Sequence, residues 1–167
     1  MKHFIIVLML APLLGFAQDC KLKKGIDPIT SKPTLSTGFI DLPGATLSID
    51  INSKEIDFFF VMSATNAKCL DENTEAEVVF EGGKSKAEIK TEYKNSGSMN
   101  CDGIFHIIFK NSQFIPSPLQ KLAAKKVLVI RLKGSTPKPI ELNLTPELQQ
   151  TFMNVVSCVI KEAKTVL

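Results

Sequence analysis

Residues 45–62, ATLSIDINSKEIDFFFVM, decide the fold. Ala45, Leu47, Ile49 and Ile51 share one side of an extended backbone, and Thr46, Ser48, Asp50 and Asn52 share the other. Side chains of a strand alternate between faces, so this pattern predicts a strand with one face in a core and one toward water. Asn52, Ser53 and Lys54 are turn formers that reverse the chain into residues 56–62. The return strand is of another kind. Ile56, Phe58, Phe60 and Met62 point one way, while Phe59 and Val61 point the other, so both faces are apolar. Residues 104–109 (IFHIIF) and 127–132 (VLVIRL) share that character. Strands of this type predict cover on both sides.

Outward from this hairpin the period-2 pattern continues. Ala76, Val78 and Phe80 alternate with Glu75, Glu77, Val79 and Glu81. Gly82 and Gly83 then offer the positive φ angles of a tight hairpin. Ala87, Ile89, Thr91 and Tyr93 return on the core side, against a charge ladder of Lys86, Glu88, Lys90 and Glu92. Pro43 and Gly44 form a turn before the first strand, and residues 21–33, with Asp27-Pro28 and Lys32-Pro33, read as an irregular lead-in. Ser117-Pro118-Leu119-Gln120 has the spacing of a capping box and starts a short helix with Leu119, Leu122 and Ala123 inward. Thr145-Pro146-Glu147 starts a longer one: a hydroxyl cap, proline in the first turn and an acid at the positive dipole end. Its apolar stripe is Leu148, Phe152, Val155, Val159 and Ala163, and this helix is expected to cover the second face of the apolar strands. The expected fold is mainly β (α+β). An antiparallel curled sheet or sandwich of seven to eight strands carries a short helix near 117–124 and a C-terminal helix 146–165 packed on it.

Composition agrees with one globular domain. Of 167 residues, 44% are hydrophobic and 22% charged, with nine Gly and nine Pro, which excludes disorder, collagen and coiled coil. A net charge of +3, with Arg131 as the sole arginine, is too little for a grip on a phosphate backbone, so no nucleic-acid partner is expected.

The first residues read as a removable leader. Met1-Lys2-His3 is a basic start, residues 4–14 are apolar, and Gly15-Phe16-Ala17 is a small-residue cleavage site, the pattern of a secretory signal peptide over 1–17. The apolar run ends short of the roughly 20 residues that a spanning helix needs, although an uncleaved anchor is the competing interpretation. Cleavage after Ala17 leaves an irregular segment 18–33 and a single β-rich domain 34–167. Lipidation at Cys20 would require small residues before it, and Gln18-Asp19 stand there instead. No second stretch is long enough to span a bilayer, so no transmembrane segment is expected after leader removal, and the protein is expected to be secreted or periplasmic.

Four cysteines, Cys20, Cys69, Cys101 and Cys158, read as two disulfides in an exported chain. Zinc is the competing use, but no C-x-x-C pair occurs and His106 is the one histidine after the leader. No metal and no cofactor is expected. Of three connectivities, Cys69–Cys101 is favoured because both lie at the open end of the 76–93 hairpin. That leaves Cys20 to tie the N-terminal segment to Cys158 in the last helix. Each bridge is expected to add about 2–4 kcal/mol.

The leader end Gly15-Phe16-Ala17-Gln18, the early Cys20 with Asp27-Pro28-Ile29-Thr30, the Ser117 helix leading into Val129-Ile130-Arg131-Leu132, and a final helix carrying Cys158 together resemble uncharacterised small secreted proteins of the Bacteroidota. The resemblance implies an envelope or extracellular home and no activity.

Candidate chemistry is sparse. His106 is the first candidate for acid–base work, but no G-x-S-x-G elbow accompanies it. Its alternation with Ile104 and Ile108 places it on a face that the helix is expected to cover, as a satisfied core or rim histidine. Asp50 with Asp57, and Asp71 with Glu72, are acid pairs on outward faces or turns, without the convergence that a glycosidase needs. Residues 71–75 (DENTE) lack the spacing of a calcium loop. Lys21, Lys23 and Lys24 are either a weak anion-attracting patch or a solvated segment. Phe58, Phe59 and Phe60 alternate between faces and so pack a core rather than form a platform. Arg131 requires a carboxylate or carbonyl partner, as an ion pair or as an anion-binding group. Asn143-Leu144-Thr145 matches a glycosylation sequon by chance in a bacterial context. No catalytic residue is assigned, and binding residues stay open. Three function classes fit. The first is a non-enzymatic module of a bacterial envelope that meets an unknown protein or small-molecule partner through its surface. The alternative is a lipocalin-like carrier of a small apolar ligand, although the chain has no Trp for the lipocalin Gly-x-Trp signature. The third is a hydrolase with an unrecognised site.

Overall fold

The computed structural model describes residues 20–63, 70, 73–82, 89–94, 103–134 and 138–167. The signal peptide, Asp71 and Glu72 of the acidic run, and the Cys69–Cys101 pairing lie outside the described residues.

Among the described residues ten strands form two antiparallel sheets. The first joins β1 (Lys23–Ile26), β2 (Pro33–Ser36), β4 (Ala45–Ile51), β5 (Glu55–Met62) and β8 (Ile104–Lys110) in that spatial order, with β3 (Ile40–Leu42) also alongside β4. The second runs β10 (Ile140–Asn143), β9 (Val127–Lys133), β6 (Glu75–Phe80), β7 (Ile89–Lys94). Helix α1 (Ser117–Ala124) leads into β9, and α2 (Pro146–Ala163) follows β10 and ends in a short 3-10 turn, Lys164–Val166. Among the described residues the sheets do not close into a barrel, so they do not build the lipocalin-type layout.

The β4–β5 turn forms for a local reason. Asn52 Oδ1 accepts from the backbone N–H of Lys54 (2.8 Å) and Glu55 (3.0 Å), and Asn52 N donates to Glu55 O at 3.0 Å. This sets Ile51 opposite Ile56, Ile49 opposite Phe58 and Leu47 opposite Phe60. Those residues, with Phe105, Ile107 and Phe109 of β8, make the inner face of the first sheet. Ala76, Val78, Phe80, Ile130, Leu132 and Leu142 supply the inner face of the second. One hydrophobic cluster unites both sheets with Leu119 and Leu122 of α1 and with Phe152, Val156, Val159 and Ala163 of α2. Phe58 meets Phe152 at 6.3 Å between ring centroids, and Phe109 meets Tyr93 of β7 at 5.8 Å. Helix α2 and the second sheet therefore pack against the same face of the first.

Several expectations are corrected by this arrangement. The helix does not cover the second face of β5 and β8, because the stronger apolar surface, seven large inward residues on that strand pair, already claims it; the outer face stays half-buried. The lead-in holds a strand, since residues 23–26 find a partner in 33–36 across the Asp27 turn, where Asp27 Oδ1 accepts from Ile29 N and Thr30 N. Ser117 does not cap α1: Pro116 occupies the cap position without a side-chain bond, and the Gln120 amide reaches back to Ile115 O at 2.8 Å. The β6–β7 register sets Phe80 opposite Ile89 and Ala76 opposite Tyr93, which is not the register of a two-residue turn at Gly82–Gly83; the turn itself, Gly83 included, lies outside the described residues. On α2 the stripe runs through Val156, while Val155 is partly buried at its edge. The Thr145 cap is as expected, its hydroxyl accepting from Leu148 N at 3.3 Å.

Cys20 and Cys158 are joined, with Cα atoms 5.6 Å apart, inside the range that a disulfide spans. Asn111, buried at the end of β8, makes a second tie to the helix: its amide donates to Asn52 O (2.8 Å) and to Ala163 O (3.1 Å).

Candidate functional site

The outer face of the first sheet collects the polar candidates. Pairing of β4 with β5 and of β5 with β8 sets side chains in rows: Thr46–Val61–Ile104, Ser48–Phe59–His106 and Asp50–Asp57–Ile108. His106 and Asp57 sit on the diagonal between the second and third rows. The imidazole Nδ1 lies 2.8 Å from Asp57 Oδ2 and 3.1 Å from Oδ1, and the ring leans on Phe59 with centroids 4.8 Å apart. His106 is 19% exposed and Asp57 22%. His106 is thus a rim histidine on the uncovered face, which corrects its placement under the helix.

Burial raises the Asp57 pKa above its ordinary value, with hydrogen bonding and the charge of His106 opposing and the Asp50 and Glu55 charges adding to the rise. Asp50 lies directly opposite Asp57, so the structure does bring this acid pair together. The two carboxylates stand side by side on an open sheet rather than across a cleft, and Asp50 accepts from Ser48 Oγ at 3.1 Å. A glycosidase geometry needs acids on opposite sides of a bound sugar, so the pair does not meet it.

Serine, histidine and aspartate do share this face, but they do not form a nucleophile–base contact. Ser48 and His106 flank Phe59 from opposite strands, two strand spacings or about 10 Å apart. Ser48 is also buried at 4% exposure and turned toward Asp50 and Ser36. An activated serine must hydrogen-bond its base. Beside the Asp57–His106 pair the other outer side chains toward the middle of β5 and β8, Phe59, Val61, Ile104 and Ile108, are apolar and half-buried, while Asp50 and Glu55 adjoin Asp57 on its other sides.

The other sheet carries Arg131 on its outer face. Its Nε donates to Glu141 Oε1 and its Nη1 to Glu77 Oε1, both at 2.9 Å, and Lys133 Nζ donates to Glu77 Oε2 at 2.6 Å. Hydrogen bonding to Glu77 holds both cations further into their charged form. Glu77, only 8% exposed at its side chain, is thereby matched by two cations. Arg131 serves an ion-pair lattice, as its lone place in an apolar strand suggested.

A small cavity of about 260 Å³ lies beside the disulfide, walled by Leu22, Ile40 and Val155 with Lys21, Thr151 and Asn154 at its rim. This is below the roughly 300–1,000 Å³ of ordinary small-molecule sites. Lys23 and Lys24 point into solvent from β1. Among the described residues no group of three His, Cys, Asp or Glu side chains could hold a metal ion, and no helix is long and apolar enough to cross a membrane. No protein-family model, curated protein or solved structure matches the chain.

The Asp57–His106 contact was missed in the sequence. Its only signal is that both residues fall on the polar-marked side of strands otherwise apolar on both faces, which points to a face without full cover.

Proposed function

We propose that this protein is an exported, disulfide-bonded β-rich module that works by binding through its surface rather than by catalysis, in the envelope or surroundings of a member of the Bacteroidota. The observation that carries the reading is the outer face of the first sheet. Phe59, Val61, Ile104 and Ile108 adjoin the Asp57–His106 ion pair there and remain partly open to water. Apolar surface of this kind, rimmed by polar groups, characterises interaction sites. The Cys20–Cys158 bridge supports export, because such bonds persist in oxidising compartments. The resemblance to secreted proteins of the Bacteroidota adds the bacterial envelope.

Cell fractionation with mass mapping of the native host protein tests export: the chain is expected outside the cytoplasm, beginning at Gln18 and oxidised at Cys20 and Cys158. A cytoplasmic protein retaining its first 17 residues and both thiols would refute it. A panel of ester, phosphate and glycoside substrates tests the absence of catalysis. Turnover abolished by His106→Gln in a folded variant would make the Asp57–His106 pair an enzyme's machinery instead.

A further inference from the structure

Among the described residues the two sheets present five outer strands, and four of them carry features that discourage a further strand; β3, paired with β4 alone, is three residues long and exposes Asp41. β1 is four residues long and exposes Lys23 and Lys24. β10 is also four residues, follows Pro139 and exposes Glu141 and Asn143. β7 exposes Glu92 and Lys94. Short length, charge and proline are the usual protections of a sheet edge. β8 has none of them along its length: it is seven residues, IFHIIFK, without proline, in unbroken register with β5, and its lysine stands at the very end.

The bonds flanking the β5–β8 ladder fix which backbone groups face outward. Met62 N donates to Gly103 O at 2.8 Å and Asn111 N to Lys54 O at 2.7 Å. Alternation in an antiparallel pair then turns Phe105, Ile107 and Phe109 toward β5, and Ile104, His106, Ile108 and Lys110 toward the open side. Among the described residues no strand pairs with that side.

We propose that a second copy of this chain pairs there, β8 against β8 about a two-fold axis, making one continuous sheet from two. The occupant follows from the pattern of the strand. An added strand must place strongly apolar residues on the inner face and mixed ones on the outer, and β8 itself has that alternation. A two-fold axis at Ile107 sets Ile104 opposite Lys110, Phe105 opposite Phe109 and His106 opposite Ile108. Every residue of the strand is paired, and edge-facing groups meet edge-facing groups. An axis at His106 would set two imidazoles side by side and leave Phe109 and Lys110 beyond the strand. An isologous contact of this form closes on itself, so it yields a dimer rather than a fibre. The inference goes beyond the proposed function: a monomer could still bind through its outer face.

The test is sedimentation and light scattering of the oxidised protein across the micromolar range, with hydrogen exchange read at Ile104, Ile108 and Lys110. A concentration-dependent dimer that slows exchange at those amides is expected. Ile108→Pro removes an edge-facing N–H without touching the β5 ladder, and Ile108→Lys places a charge on the half-buried outer face. Each should weaken association about tenfold or more, equivalent to about 1.4 kcal/mol, with the circular dichroism spectrum unchanged. If the proline variant does not fold, the lysine variant decides. A protein monomeric throughout, with those amides exchanging as fast as loop amides, overturns the proposal, as does a dimer indifferent to Ile108→Lys.

Discussion

The outer faces of the two sheets hold the same kind of group in opposite settings. On the second sheet the carboxylate of Glu77 is almost buried, yet Arg131 and Lys133 both donate to it and Glu141 engages the far side of the guanidinium. On the first sheet the carboxylate of Asp57 meets one imidazole, has Asp50 directly across the strand and Glu55 beside it, and borders Phe59 and Ile108. Desolvation is compensated in the first case by two charge-assisted bonds and in the second only in part. The lesson is that a polar face can be complete in itself or can await something. The lattice around Glu77 leaves little for a partner to add, whereas the apolar side chains beside Asp57 would gain from further burial.

Core truncation gives the largest expected effect and calibrates the faces. Phe60→Ala, at a site 1% exposed, should lower stability by about 3–5 kcal/mol, whereas its outward neighbour Phe59→Ala should cost only about 1 kcal/mol. Urea denaturation midpoints measure both, and equal losses would mean that Phe59 is as fully covered in solution as Phe60. Next comes Glu77→Ala, which leaves two cations beside each other without their shared acceptor and should cost about 2–3 kcal/mol in the same assay. A loss within error of zero would make the lattice ornamental and erase the contrast between the faces. The smallest effect belongs to Asp57→Asn. A carboxyl whose pKa is raised on folding binds its proton more tightly in the native state, so the native protein loses stability as pH rises from 3.8 through the raised value. The Asn variant lacks that slope. It should match or exceed the native protein at neutral pH by no more than about 1 kcal/mol, with the difference vanishing toward acid. Denaturation midpoints across pH decide, and a variant clearly weaker at neutral pH would show that the ion pair outweighs the burial.

How much of this was legible in the sequence depended on how far apart the cooperating residues lie. Alternation through Ala45–Ile51 and the Asn52 turn specified β4 and its partner, because every determinant is local. Helix α2 was readable from its Thr145 cap and proline, although the stripe is rotated to Val156, which continues the spacing from Phe152 to Val159 as well as Val155 does. Arg131 announced an ion pair but not its partner, since Glu77 lies 54 residues earlier and reaches it only through the β6–β9 register. Asp57 and His106 are 49 residues apart, with much of the second sheet between them in sequence. Nothing in residues 56–62 says that β8 is an outer strand, and so doubly apolar strands were read as covered twice. Strand order comes from long-range pairing, and with it comes knowledge of which faces stay open.

The bond from Cys20 to Cys158, separated by 138 positions, turns nearly the entire domain into a covalent ring. A single proteolytic nick anywhere inside that ring would leave both pieces attached to one another, and the shared core would still hold them in place. Damage of this kind would pass unseen by mass under oxidising conditions, apart from the water added, and would show as two fragments only after reduction.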